Sequence, residues 1–155
     1  MTETKSNRFS YFLRFRASPA TLERVRSSII ELSNRLNLTS QYTDDLVLAV
    51  YEACANVLEH AYQGREGGQI YLSITLDGDV VEVIIMDRGA SFDIASFKPM
   101  EPKQLQDEGM GGGMGYTLIK TVMDTVEYST KGGGINMMRM TKRVTSSLII
   151  PPEKR

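Results

Sequence analysis

Three short runs in this sequence carry side chains able to do chemistry. The first is DDLVLAVYEACANVLEH, from Asp44 to His60. At about 100° per residue of helix, Asp45, Glu52, Asn56 and Glu59 fall in one narrow stripe, turned away from the apolar positions. An amide carbonyl and neighbouring carboxylates are hard oxygen ligands of the kind Mg²⁺ takes when phosphates and water complete its shell. A carboxylate one turn from Asn56 could also act as general base toward an incoming hydroxyl. A solvated face on an ordinary amphipathic helix satisfies the same stripe. The second run is VIIMDRG, from Val83 to Gly89, an apolar strand ending in an acid and a glycine. A carboxylate at such a strand end can accept an exocyclic amino group, and the glycine lets a flat base approach the backbone. A strand followed by a turn reads the same way. The third run, GMGGGMGY from Gly109 to Tyr116, leads into an apolar helical pattern. Glycines before a helix N-terminus offer backbone N–H groups and the positive dipole end to phosphate; the alternative is a flexible hinge. No Gly-Lys-Ser/Thr follows, so it is not a Walker loop, and no short βαβ unit surrounds it as a dinucleotide fingerprint requires.

The elements that must position these runs are legible from periodicity. Phe9 to Arg16 alternates and is rich in aromatics, which predicts a first strand at a sheet edge. Ser18-Pro19 supplies an N-cap and a first-turn proline, and Leu22, Val25, Ile29, Leu32 and Leu36 recur at helical spacing. A second helix is expected from Thr39 or Ser40 to about Tyr62, with Leu46, Val50, Ala53, Val57 and Ala61 along one side. Gln69–Leu76 and Val80–Met86 flank Asp77-Gly78-Asp79, the chemistry of a hairpin. Residues 87–115 lose periodicity and collect Pro99 and Pro102, a loop long enough to be functional. Tyr116–Asp124 then reads as helix, and Thr125–Thr130 and Ile135–Val144 as strands around Gly132-Gly133-Gly134. This order predicts an α+β sandwich, a mixed sheet with its helices on one face.

Composition narrows the function classes. The chain has 155 residues, 41% apolar and 24% charged, an ordinary balance for one domain, and no repeat or linker divides it. With 18 basic and 19 acidic residues there is no positive field to hold a nucleic-acid backbone or an acidic membrane. The lone Cys54 is expected to be a reduced, buried thiol, which suits the cytoplasm. No signal-peptide layout opens the chain and no apolar run approaches the ~20 residues of a spanning helix.

The three runs become specific in combination and in this order. Together they resemble the GHKL superfamily of ATP-binding domains, which groups histidine kinases, gyrase, heat-shock chaperone ATPases and MutL. Within it the chain is most similar to the bacterial anti-sigma-factor serine/threonine kinases. LAVYEACANVLEHAY and GGGMGYTLIKTVMD look like that subfamily's N-box and glycine-rich box. The resemblance spans about residues 9–143 of one expected domain over 1–155, and it implies a Bergerat-type two-layer α/β sandwich with a mixed, mostly antiparallel sheet.

It further implies ATP and Mg²⁺ as cofactors. Asn56 would coordinate Mg²⁺ bridging the ATP phosphates, and Glu52 would be the catalytic base activating a protein serine. Asp87 would hold the adenine amino group, Gly89 would sit beside the base, and Gly111, Gly113 and Gly115 would form the phosphate-covering lid. Two positions depart from the superfamily pattern. Ala90-Ser91 stands where a second glycine usually follows the Asp-x-Gly, and Gly134-Ile135-Asn136 lacks the usual threonine, with Asn136 as its stand-in. The implied activity is phosphorylation of an anti-sigma antagonist, with sequestration of a sigma factor by a homodimer. The other class open to the sequence is a non-catalytic ATP-sensing switch docking on a phosphatase or an antagonist-type domain. The acid at Glu52 favours catalysis. A phosphoacceptor histidine domain is not expected, since the only histidine, His60, lies on the ATP-site helix and reads as a structural or supporting residue.

Overall fold

The computed structural model describes residues 8–91 and 114–144. Strand alternation builds the sheet. Along β3 (Val80–Asp87), Val81, Val83, Ile85 and Asp87 are buried while the residues between them are half-exposed. β2 (Gln69–Asp77) pairs with it antiparallel through the two-residue loop Gly78-Asp79, where Gly78 takes φ +62°. That left-handed conformation is what a tight hairpin asks of glycine. β1 (Arg8–Arg16) pairs on the other side of β2, and β5 (Ile135–Arg143) pairs with β3 and with β4 (Thr125–Lys131). The order is β1-β2-β3-β5-β4. Every neighbouring pair is antiparallel, so the mostly antiparallel sheet that was expected contains no parallel pair among the described strands.

Three helices cover one face. α1 (Pro19–Arg35) starts with a capping box: the Ser18 hydroxyl accepts the Thr21 N–H and the Thr21 hydroxyl accepts the Ser18 N–H. α1 buries Leu22, Val25, Ile29 and Leu32, and α2 (Ser40–Asn56) buries Leu46, Ala49, Val50, Ala53 and Cys54. These meet Ile70, Leu72, Ile74, Val83, Ile85 and Met140 of the sheet in one core. Cys54 lies wholly inside it, and burial pushes its thiol up to about 12, as expected of a structural cysteine. α3 (Met114–Val122) adds Ile119.

α2 does not run as plain α-helix to Tyr62. From Val57 to Ala61 it widens into a π turn closed by the Tyr62 N–H on the Val57 carbonyl. Such turns often sit at functional sites. Among the described residues no helix is long and apolar enough to cross a membrane.

Candidate functional site

Glu52 and Asn56 sit one turn apart on α2, and the first turn of α3 comes down on them. A Cβ placed on Gly115 would lie 2.8 Å from Glu52 Oε2 and 3.2 Å from Asn56 Oδ1. Two hard acceptors therefore converge on one point near a helix N-terminus, and a side chain at Gly115 would have to push the Glu52 carboxylate aside. Burial, and next the Glu59 carboxylate, raise the Glu52 carboxyl above its usual range. A carboxylate so raised is a better proton acceptor than a solvated one. Among the described residues no three His, Cys, Asp or Glu side chains cluster to cage a metal. The donor set is instead one amide oxygen beside a carboxylate, which suits an ion that keeps water and substrate phosphates as ligands.

Asp87 ends β3 and is 3% exposed. Its Oδ1 accepts the Gly89 N–H at 2.9 Å and an Asn136 amide N–H at 2.9 Å. The same Asn136 amide donates to the Gly89 carbonyl at 2.9 Å. Oδ2 takes no hydrogen bond among the described residues. Burial raises this carboxyl, with the Asn136 and Gly89 donors opposing it.

The end of α2 is sewn to this strand end. The Ala90 N–H donates to the Ala61 carbonyl at 2.8 Å, and a Cβ on Gly89 would stand 2.4 Å from that carbonyl oxygen. The Tyr62 hydroxyl accepts the Arg88 N–H at 3.1 Å and donates to the Gln69 carbonyl at 2.6 Å. One helix therefore carries Glu52 and Asn56 in its last turns and, five and six residues beyond Asn56, anchors the segment holding Asp87 and Gly89.

The sequence stripe divides in space. Glu52, Asn56 and Gly115 come together, and Asp87 and Gly89 come together beside the π turn. Asp45 does not join them: it pairs with Lys142 at 3.2 Å. It shares the stripe but lies about 16 Å down the axis from Asn56, at ~1.5 Å per residue. Glu59 lies in the π turn, with its Oε2 4.0 Å from Nε2 of the adjacent His60. Gly111 and Gly113 lie outside the described residues. Sequence reasoning missed Tyr62 and Lys142. The Tyr-Gln-Gly that ends the helix was a signal for the first; no local pattern announced the second.

The profile of the histidine kinase-like ATPase domain family matches residues 15–142. Serine-protein kinase RsbW of Halalkalibacterium halodurans is 38% identical over 122 residues, 76% of this chain and 73% of that protein. The chain belongs to this family, in its anti-sigma-factor serine kinase branch. Serine-protein kinase RsbW of Oceanobacillus iheyensis is 32% identical over 79% of this chain and 80% of its own length. Two solved structures share the family's fold. The RsbU and RsbW domains of a Mycobacterium tuberculosis protein superpose with a TM-score of 0.62 at 19% identity, covering 87% of this chain and 32% of that one. The SiaB–SiaC complex of Pseudomonas aeruginosa gives 0.59 at 16% identity, over 83% of this chain and 88% of the other.

Proposed function

We propose that this domain is an ATP-dependent serine kinase that phosphorylates an anti-sigma antagonist and, when unopposed, sequesters a sigma factor. The observation that carries the reading is the convergence of Glu52 Oε2 and Asn56 Oδ1 on Gly115 at the start of α3. Asp87 accepts the adenine amino group through its open oxygen, and Gly89 gives the base room. Asn56 would hold a Mg²⁺ through its amide oxygen, and the ion would supply charge neutralisation during transfer. Glu52 takes the proton of the substrate serine as its oxygen bonds to the γ-phosphorus and the bond to the β–γ bridging oxygen breaks, leaving ADP. The first N–H groups of α3, with Gly115 among them, would meet the phosphates, and Gly111 and Gly113, outside the described residues, are assigned to the same phosphate-binding run.

The acting form is a homodimer in the cytoplasm, with β1 as its pairing strand. β1 is an edge of the sheet, and an edge offers unpaired backbone groups to a second copy.

The test is calorimetric titration of Mg-ATP into wild type, Glu52→Gln and Asn56→Ala, followed by labelled-phosphate transfer to a co-purified antagonist. Wild type and Glu52→Gln should bind comparably, Asn56→Ala should bind far more weakly, and only wild type should transfer. Transfer should fail as pH drops through the raised Glu52 range, because the base must be ionised. Binding without transfer by any form would favour the switch, and no binding at all would remove the nucleotide site.

A further inference from the structure

Asn136 is 1% exposed and stands opposite Asp87 in the β3–β5 register. Its side-chain amide has two hydrogens, and the Asp87 carboxylate and the Gly89 carbonyl, each at 2.9 Å, take both. Its own oxygen accepts the Thr130 hydroxyl at 3.4 Å. Turning the amide over would set that oxygen against two other acceptors, so the orientation is enforced by its surroundings. No amide hydrogen is left to meet a ligand directly.

We propose that Asn136 is the positioning residue for base selectivity in the nucleotide site, acting by fixing which oxygen of Asp87 faces the base. The inference rests on the nucleotide-site reading above. With Oδ1 occupied by two donors, Oδ2 is presented as a bare acceptor. A bare acceptor matches a purine with an amino group at its sixth position and repels one with a carbonyl there. That match holds only while Asp87 is ionised and cannot swing. Burial drives the carboxyl toward its protonated form, and the Asn136 donor is the larger of the two contacts opposing it. A protonated, rotatable Asp87 would offer an O–H to the carbonyl of guanine and lose its advantage for adenine.

Among the described residues, the ionisable groups around Asp87 include the Tyr62 phenol at the end of α2, the Tyr71 phenol on β2, which lines the same pocket, and the Arg88 guanidinium next in the chain. Burial raises the Tyr62 phenol, so it stays neutral through the range in which carboxyls titrate. Asp87 is the carboxyl at this strand end.

The experiment titrates Mg-ATP and Mg-GTP into wild type, Asn136→Leu and Asn136→Ser from mildly acidic to mildly alkaline pH, with thermal melting to confirm folding. Asn136→Leu should weaken ATP by roughly 10- to 100-fold, the worth of a hydrogen bond to a charged group, and GTP by much less. The ATP-over-GTP preference should fall, and the pH below which ATP binding is lost should move upward. Asn136→Ser, with one hydrogen to give, should lie between and carries the test if the leucine variant does not fold. Equal weakening of both nucleotides with an unmoved pH profile would reduce Asn136 to a structural role and overturn the inference. So would unchanged ATP binding by either variant. Wild type that binds neither nucleotide would overturn the site reading along with it, a result separable from both.

Discussion

Asp87 illustrates a conflict between stability and function in a single side chain. It is a buried carboxyl with no ion pair among the described residues, and its pKa is raised by burial. Between the usual carboxyl range and that raised value, the folded chain holds a proton that the unfolded chain has released. Stability therefore falls as pH rises through this window, and above it the ionised group costs the folded state in full. Asp87→Asn keeps an acceptor for the Gly89 and Asn136 donors and removes the buried charge. The free variant should melt a few degrees above wild type at neutral pH, and the difference should vanish in acid. Its amide would point a donor at the adenine amine, so ATP binding should weaken by roughly 10- to 100-fold in calorimetry. The acid and its glycine were legible as a pair in sequence. Why only one carboxylate oxygen stays open was not, because Asn136, which shares the other oxygen with the Gly89 N–H, is 49 positions away.

At the level of elements, α2 is the part that spans the site. Its regular turns present Glu52 and Asn56, and its π turn directs the Ala61 carbonyl to the Ala90 N–H. Gly89 must lack a side chain here because the atom it would strike is backbone, which cannot rotate away. Gly89→Ala should lower stability by ~1–3 kcal/mol, the usual cost of overpacking, and weaken ATP at least as much as it shifts the melting temperature. Tyr62→Phe, which removes the hydroxyl joining Arg88 and Gln69, should give a smaller loss of the same kind. A variant that binds ATP as wild type does would show that the helix end and the strand end are independent. Apolar spacing located this helix well, since the pattern is local. It could not show the π turn, because a widened turn is selected by what packs against it.

At the scale of the whole molecule, β1 is an edge strand of the sheet among the described residues while the helices cover one face, and Phe12 on β1 is 63% exposed. A large exposed aromatic on an edge strand is the kind of surface that monomers avoid and interfaces use. Sedimentation at working concentration should give a dimer, and a monomer there would remove β1 as a pairing strand. At the opposite end of the helical layer, Lys142 joins Asp45, the Val122 carbonyl and the Tyr42 ring. This contact ties the C-terminal end of α3 to α2 and β5, leaving the glycine-bearing N-terminal end over Glu52 and Asn56.

The sequence by itself determined the element order and the apolar faces, since periodicity, caps and glycine placement act over a few neighbouring residues, and it nominated Glu52, Asn56, Asp87, Gly89 and Gly115 as site candidates. Tertiary structure alone decided that Asp45 leaves the stripe for Lys142, that the Asn136 amide donates to Asp87 and the Gly89 carbonyl, and that Tyr62 clasps the strand end. Each of those outcomes depends on a partner brought close by the sheet register or the helix packing, and such distances are set only when the whole chain has folded.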